Sequence, residues 1–175
     1  MHFAILALAL SASADDKGTP VELAGLKATT PADWKAAEKP GAMRQNQFTL
    51  PKADGDKDDT DVSVFVTPGN GGGIDANLQR QRKKFEPAKG KDKLDEALDA
   101  KFKVGTFDAQ YLDIKATYLK KPFPMAQTGT PTPGYRMIYV IFPGKTDLVS
   151  LWLLGPEKSV EKNKTAFDVW VKSFK

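Results

Sequence analysis

The stretch YRMIYVIFPGKTDLVSLWLLGPEKSVEKNKTAFDVWVKSFK, residues 135–175, decides the fold. Its first part holds two runs, 135–142 and 148–154, that are apolar at both alternating positions. A strand that meets water on one face alternates between apolar and polar residues, whereas a strand covered on both faces does not. The two runs therefore predict central strands of a sheet with a layer on each side.

The rest of this stretch predicts a helix that forms one of those layers. Gly155 and Pro156 end the second strand, and Ser159 is the predicted N-cap of the helix. The apolar residues that follow recur at spacings of seven, four and three, share one helical side and have Trp170 at their border: Val160, Phe167, Val171 and Phe174. Because the helix follows the two strands directly, we expect this side to cover the sheet.

Residues upstream of this stretch supply the other elements. A helix is predicted over 75–85 with Asp75 as its N-cap, and the acidic segment 52–60 and the proline-rich segment 121–134 are predicted loops. Further strands are predicted over 21–30, 43–50, 61–67 and 102–119, the last with a break at Gly105. This order predicts an α+β fold with one largely antiparallel sheet of about six to seven strands flanked by helices.

The composition bounds the chemistry. The chain has 175 residues, of which 41% are hydrophobic and 27% charged, as expected for one globular domain. Its formal charge of +4 is too mild to indicate nucleic-acid binding. There is no cysteine, which excludes disulfides, thiolate nucleophiles and thiolate metal sites.

Residues 1–14 are a predicted secretory signal peptide, which leaves 15–175 as a single mature domain. An apolar run over 3–10 precedes Ala12-Ser13-Ala14, a small-x-small cleavage pattern, and the run is shorter than the roughly 20 residues that span a bilayer. Neither Lys nor Arg precedes the run, which favours a start codon further upstream; the alternative is a buried N-terminal strand or helix. We expect an exported protein, periplasmic or secreted, with no membrane span.

Loss of the leader would also remove His2, the only histidine. A mature chain without His and Cys cannot form a Ser-His-Asp triad, a Cys-His pair or an imidazole-ligated metal site. The enzymatic options that remain are carboxylate pairs, Lys or Tyr bases and oxygen-ligated metals. No carboxylate pair can be chosen from the chain alone, so no catalytic residue is predicted.

Three segments carry a resemblance to a known family. They are the turn Pro31-Ala32-Asp33-Trp34, the passage 62–85, and the block 148–174 with Gly155-Pro156-Glu157 inside it. In these segments and in its order of elements the chain resembles the PsbP-like α/β/α sandwich, shared by the photosystem II extrinsic subunit P, a nuclear-import Ran-binding protein and exported bacterial DcrB-type proteins. Its ending is also similar to that of small exported bacterial proteins. The resemblance implies a non-enzymatic protein that binds other proteins or serves membrane complexes, and it carries over no functional residue.

A glycine-rich turn before the first helix is the first candidate site. The residues 71–76 satisfy G-x-G-x-x-A, and a glycine turn that enters a helix can present backbone N–H groups to an anion. A dinucleotide site needs a parallel βαβ unit, however, and Asp75 at the helix start would repel an anion. Gly71, Gly72, Gly73 and Asp75 are therefore possible ligand contacts, and a simple tight turn is the alternative.

Two charged segments were weighed as binding sites. The carboxylates at 54, 56 and 58 resemble the start of a calcium loop, but position six is Asp59 and position twelve is Phe65, so a solvated hairpin tip is predicted and no metal or other cofactor. The basic run 80–93, with seven Lys or Arg residues, could meet an anionic polysaccharide, lipid headgroups or an acidic protein, or could be a solvated helix face.

Three apolar residues complete the candidates for partner contact. Phe123 and Met125 lie in the proline-rich loop and either form an interaction site or cover the edge of the core. Trp34 lies in a turn and is the tryptophan predicted to be accessible. Together these observations predict an exported, non-enzymatic binding or accessory protein of the bacterial envelope, with an envelope protein or an anionic polymer as its partner. The alternatives are a structural or stress-related domain without a ligand, and a carboxylate-dependent hydrolase.

Overall fold

The computed structural model describes residues 17–123 and 125–175, so the predicted signal peptide lies outside the described residues. Within them the chain forms ten strands and two helices. The strands are β1 (Pro20–Leu23), β2 (Leu26–Thr29), β3 (Lys35–Ala36), β4 (Asn46–Leu50), β5 (Thr60–Pro68), β6 (Phe85–Glu86), β7 (Asp95–Val104), β8 (Phe107–Lys120), β9 (Thr130–Pro143) and β10 (Asp147–Pro156). The helices are α1 (Ile74–Arg82) and α2 (Glu157–Lys172).

Eight of these strands form one antiparallel sheet. Its order is β3-β4-β5-β10-β9-β8-β6, and β7 pairs with β8 beside β6. The two runs that decided the fold form its centre, where β9 and β10 pair with Tyr139 opposite Trp152. The prediction of an α+β protein with a largely antiparallel sheet is confirmed, with eight strands instead of about six to seven.

The two helices cover opposite faces of the sheet. The α2 face holds the larger core, in which Phe167, Trp170 and Val171 pack against Phe48 and Val140. The α1 face holds a second core around Leu78, Met137 and other residues of β8, β9 and β10. This arrangement explains why the central parts of β9 and β10 are apolar on both faces, since most of their side chains face one core or the other.

The predicted strand 21–30 is a hairpin, not one strand. Strands β1 and β2 pair with each other as a separate two-stranded sheet. Ala24 and Gly25 form the turn between them, with φ values of +50° and +84°. Positive φ at both central residues matches the twist of a two-residue hairpin. The apolar residues Val21 and Leu23 then pack on the α2 core.

The predicted loop 121–134 is shorter than expected because β9 begins at Thr130. Pro131 and Pro133 lie in this part of β9, where the strand pairs with β8 on one side. The pairing with β10 extends only to Tyr135, so among the described residues no strand lies on the other side of 130–134. A proline, which lacks an N–H, is therefore tolerated there because no hydrogen bond to a neighbouring strand is lost. Similarly, β7 begins at Asp95, upstream of the predicted start at 102, whereas the predicted break at Gly105 is confirmed.

Both predicted helix caps are wrong. The N-cap of α2 is Pro156, and the hydroxyl of the buried Ser159 instead accepts a hydrogen bond from the Ala53 amide (2.8 Å) and donates to Asp56. Ser159 thereby ties the acidic loop to α2. The N-cap of α1 is Gly73, which places Asp75 in the first turn. This helix ends at Arg82 because Phe85 leaves it to pair with β8.

Candidate functional site

Helix α1 leaves part of its sheet face uncovered. It has nine residues, so it is only about 14 Å long, and its main contacts are to β9. Beside it, Phe65 of β5 and Trp152 of β10 project from the same face, edge to face with ring centroids 5.0 Å apart. Both side chains are half-buried, so they present aromatic surface to solvent.

Arg44 lies over these two rings. Its Cζ atom is 5.6 Å from the ring centroid of Phe65 and 5.6 Å from that of Trp152, within range of a cation–π contact. Its Nε atom donates to Ser63 Oγ (2.9 Å), and that hydroxyl donates to Asp61 (3.1 Å). The guanidinium is therefore positioned by hydrogen bonds that connect it, through Ser63, to Asp61 of β5.

Lys84 approaches the same indole from the short segment between α1 and β6. Its amide donates to the carbonyl of Gln81 (3.0 Å), and its own carbonyl accepts from the amide of Leu119 (2.8 Å), so its backbone is held by α1 and by β8. The Nζ atom lies 4.2 Å from the ring centroid of Trp152. Two cations from distant parts of the chain thus meet on one tryptophan.

The electrostatics of this surface are dominated by positive charge. Burial, together with the nearby charges of Arg44, Arg80 and Lys121, lowers the pKa of Lys84 to about 7. Burial raises the pKa of Asp61, against the opposing effects of the Ser63 hydrogen bond and of Arg44. Among residues 17–123 and 125–175, no salt bridge joins a carboxylate to any of these four cations. We call Arg44, Arg80, Lys84 and Lys121, with Phe65 and Trp152, the cationic surface.

The predicted glycine-rich site lies elsewhere and is bonded within itself. The amides of Gly72 and Gly73 donate to Asn70, and Asn77 Nδ2 donates to the carbonyls of Gly71 and Gly73. A Cβ atom on Gly71, whose φ is +53°, would lie 2.9 Å from Leu148. The glycines therefore allow close packing and a tight turn, and two of the amides that an anion would need already have partners. Asp75 is exposed beside them.

Trp34 was predicted to be accessible, and this prediction is wrong. Only 4% of the residue is exposed, and its ring centroid lies 5.2 Å from that of Trp170 and 6.1 Å from that of Phe48. The Trp34 amide donates to the Pro31 carbonyl, so the turn folds the indole back onto α2. Trp34 is a core residue of the α2 face.

Phe123 and Met125, by contrast, are exposed on the loop between β8 and β9, at 59% and 83%. They do not cover the edge of the core, which was the alternative reading. Lys121 begins this loop and is close enough to lower the pKa of Lys84. The loop therefore lies beside the cationic surface.

Sequence reasoning identified Lys84 as part of the basic run but missed Arg44, Phe65 and Trp152. Trp152 lies in a run that is apolar on both faces, and this pattern does not indicate which part of a sheet face is left uncovered by a helix. The Arg44 contact depends on the register that pairs Ser63 with Trp152 across β5 and β10. The alternation of residues in β5 does place Phe65 and Ser63 on the same face of the strand, so this part of the surface can be read from the sequence.

A second charged cleft, of about 310 Å³, lies between β7 and α2. Its carboxylates already have partners: Asp113 accepts two hydrogen bonds from Arg136 (2.8 and 2.6 Å), and Asp168 accepts from Tyr111 (2.8 Å) and Lys164. Burial and the hydrogen bond to Asp168 raise the pKa of Tyr111, so it stays a neutral donor. The cleft is lined by Ala97, Asp99, Phe102, Tyr111, Asp113, Lys164, Asp168 and Lys172.

Two further features concern the described residues as a whole. Over 17–123 and 125–175 no group of three or more His, Asp or Glu side chains is placed to hold a metal ion. In the same ranges neither helix has the length and apolar composition needed to cross a bilayer.

Comparison with known proteins supports the fold. No protein-family model matches the chain, and no curated protein matches it in sequence. The crystal structure of LpqN, involved in cell envelope biogenesis of Mycobacterium tuberculosis, is similar with a TM-score of 0.51 at 15% identity, over 90% of this chain and 83% of that one. The solution structure of cyanobacterial PsbP from Synechocystis has a TM-score of 0.49 at 11% identity, over 98% of each chain.

The class that the fold defines is an α+β protein with one antiparallel sheet between two helical layers, an α/β/α sandwich. The fold that the PsbP-like resemblance implied is confirmed by this arrangement. At these identities the comparisons concern architecture alone.

Proposed function

We propose that this chain is an exported, non-enzymatic binding or accessory protein of the bacterial envelope, and that its cationic surface binds an anionic partner. The observation that carries the proposal is the position of Lys84 and Arg44 on the two aromatic rings of Phe65 and Trp152, with no carboxylate in a salt bridge to either among the described residues.

Such a cluster is costly without a ligand. Burial and like charges both disfavour the protonated form of Lys84, as its lowered pKa indicates. An anion placed among these four cations would favour that protonated form and offset the repulsion. Cationic groups are ordinarily spread over a protein surface, so a group of this kind is a candidate functional site with a physical rationale.

The aromatic floor suggests what kind of anion fits. Phe65 and Trp152 offer an apolar surface between the cations, on which a sugar ring or another flat group could pack. Arg44 supplies a planar guanidinium that pairs with sulfate, phosphate or carboxylate through two N–H groups. A partner that presents negative charges beside planar or apolar groups matches this combination, and anionic polysaccharides and layers of anionic lipid headgroups are both of this kind.

Export and the envelope setting rest on other support. The apolar run and Ala12-Ser13-Ala14 have the order of a cleavable leader. The name of LpqN places that protein in cell envelope biogenesis. A carboxylate-dependent hydrolase has less support, because Asp113 and Asp168 in the cleft beside β7 are held in ion pairs.

The test is calorimetric titration of the protein with dextran sulfate at pH 6.5. The double variant Arg44→Gln/Lys84→Gln should weaken binding by at least about tenfold, the loss expected for two charge-assisted contacts. The matched control is Lys101→Gln/Lys145→Gln, which removes the same charge from exposed positions away from the surface. Equal losses in both variants would mean that only net charge matters and would contradict the proposal.

A further inference from the structure

We propose that the anionic partner is a bilayer surface, and that Phe123 and Met125 enter the interfacial region while the cationic surface contacts anionic lipid headgroups. This inference rests on the proposed function, since it names the partner of the same surface. It adds the described residues of the loop between β8 and β9, 121–123 and 125–129, which the titration with a soluble polymer does not involve.

The loop exposes two apolar side chains, Phe123 and Met125, to solvent. The Ala126 amide donates to the Phe123 carbonyl (3.0 Å), and Ala126 itself is buried. Gly129 passes so close to the backbone of Leu119 that a Cβ atom there would lie 2.6 Å from the Leu119 carbonyl oxygen. The loop thus has an internal hydrogen bond, a buried alanine and a close approach to β8 at Gly129, while Phe123 and Met125 remain exposed.

Charge and apolar surface are next to each other here. Lys120 and Lys121 lead into the loop directly after Leu119, whose amide donates to the carbonyl of Lys84 (2.8 Å), so the loop begins next to the cationic surface. Lys120 also forms a salt bridge with Asp58 (3.1 Å), so Lys121 is the lysine of this pair that is grouped with the cationic surface. Peripheral membrane binding generally needs two signals, apolar insertion and attraction to anionic headgroups, and both occur side by side at this point.

The shape of the region favours a membrane over a protein partner. A peptide partner is commonly recognised through a groove that receives its side chains. The groove of about 880 Å³ between the β1–β2 hairpin and the C-terminus, and the cleft beside β7, are lined by other parts of the chain. At the loop between β8 and β9, by contrast, the apolar side chains of Phe123 and Met125 extend from the surface. This arrangement suits insertion into the interfacial region of a bilayer.

The experiment is co-sedimentation at pH 6.5 with vesicles of phosphatidylglycerol and phosphatidylcholine in equal amounts, and with vesicles of phosphatidylcholine alone. We expect binding to the anionic vesicles and at least tenfold less to the neutral ones. Phe123→Ser/Met125→Ser should reduce binding to the anionic vesicles at least tenfold and leave the affinity for dextran sulfate unchanged. The control Leu98→Ser/Val169→Ser, which alters two exposed apolar residues elsewhere, should bind as the parent does.

Each other outcome has a defined meaning. Binding to dextran sulfate without binding to anionic vesicles would overturn this inference and leave the proposed function intact. Equal binding to both vesicle types, or vesicle binding that is insensitive to the loop variant, would also overturn it. Sedimentation velocity completes the test: a dimer of the parent protein that the loop variant abolishes would assign Phe123 and Met125 to self-association and contradict a membrane role.

Discussion

Lys84 is the residue on which the electrostatics of the cationic surface depend. Its backbone is hydrogen-bonded to α1 and β8, which fixes the start of its side chain close to Trp152. Burial and the nearby cations lower its pKa to about 7 from the ordinary 10.5. The indole face favours the charged form and works in the opposite direction.

We predict that the affinity for an anion falls as the pH rises through about 7. Below that pH Lys84 is protonated in the free protein, and an anion meets the full charge. Above it, binding requires uptake of a proton, so the affinity should fall by up to about tenfold per pH unit until the pKa of the bound state is reached. Titrations with dextran sulfate at pH 6 and pH 8.5 measure this, and Lys84→Gln should remove most of the difference.

The same shift affects stability with the opposite sign. Between about pH 7 and 10.5 the unfolded chain binds a proton at Lys84 that the folded chain has lost. The free energy of unfolding should therefore rise with pH across this window.

For the prediction on anion binding, an affinity that is flat from pH 6 to pH 8.5 would show that Lys84 remains charged and would contradict the description of the surface.

Arg136 gives a second prediction at the residue scale. Only 5% of its side chain is exposed, and it donates two hydrogen bonds to Asp113 and one to Glu161. Arg136→Met should leave Asp113 without its partner and cost about 3 kcal/mol, a loss of roughly 6–12 °C in Tm for a domain of this size. Glu161→Gln is the control, because a partner that is 66% exposed contributes about 1 kcal/mol or less. Equal thermal shifts in both variants would contradict this assignment.

At the scale of elements, α2 is an integral layer of the fold. Phe167, Val160 and Val171 are fully buried, and Trp170 packs against Trp34, Phe48 and Phe174. The periodicity of the sequence predicted this side correctly, because a helical side that must cover a sheet carries its own pattern. The caps were not predictable in the same way, because the hydroxyl of Ser159 is hydrogen-bonded to Asp56 and Ala53, which lie in a loop distant in sequence.

We predict that Phe167→Ala destabilises the protein by about 3–5 kcal/mol, the usual loss for a phenylalanine removed from a core. The unfolding midpoint should then fall by roughly 6–20 °C. Val169→Ala is a matched control on the same helix, because Val169 is 65% exposed and its truncation should change stability by no more than about 0.5 kcal/mol. Thermal melts followed by circular dichroism compare the two. A melt of the Phe167 variant within a degree or two of the parent would mean that α2 docks on a partner instead.

The strand boundaries show where sequence patterns stop being informative. Residues of β7 before Phe102 are all exposed and mix charged with small or apolar side chains, so they lack the alternation that identifies a strand. They are held by pairing with β8. The proline-containing start of β9 is tolerated because one side of it has no ladder. Both facts depend on which strands are neighbours, and the sequence of one strand does not contain that information.

At the scale of the whole molecule, the two helical layers differ in what they cover. Helix α2 has 16 residues and closes its face, whereas the nine residues of α1 leave Phe65 and Trp152 accessible. The sequence predicted the number of layers from the two-sided apolar strands. It could not predict the open part of the α1 face, because that follows from the difference in length between two helices and from the register of β5 against β10.

The export of the whole protein remains a prediction. We expect cleavage after Ala14, because the apolar run and the small-x-small pattern have the order that a signal peptidase requires. N-terminal sequencing of protein purified from its native host should give a mature chain that starts at Asp15. A mature chain that retains residues 1–14 would contradict the prediction of a cleaved leader.

The central claim is that the open α1 face binds an anion, and the three tryptophans allow a direct test. Trp152 lies under Arg44 and Lys84, whereas Trp34 and Trp170 are buried on the α2 face. Each indole gives a separate Nε1–H signal in a ¹⁵N-labelled protein, so the latter two serve as internal controls. On titration with a short sulfated oligosaccharide at pH 6.5, the account predicts that the Trp152 signal shifts with saturation while those of Trp34 and Trp170 stay in place. An unmoved Trp152 signal at saturating oligosaccharide, or equal shifts of all three, would contradict it.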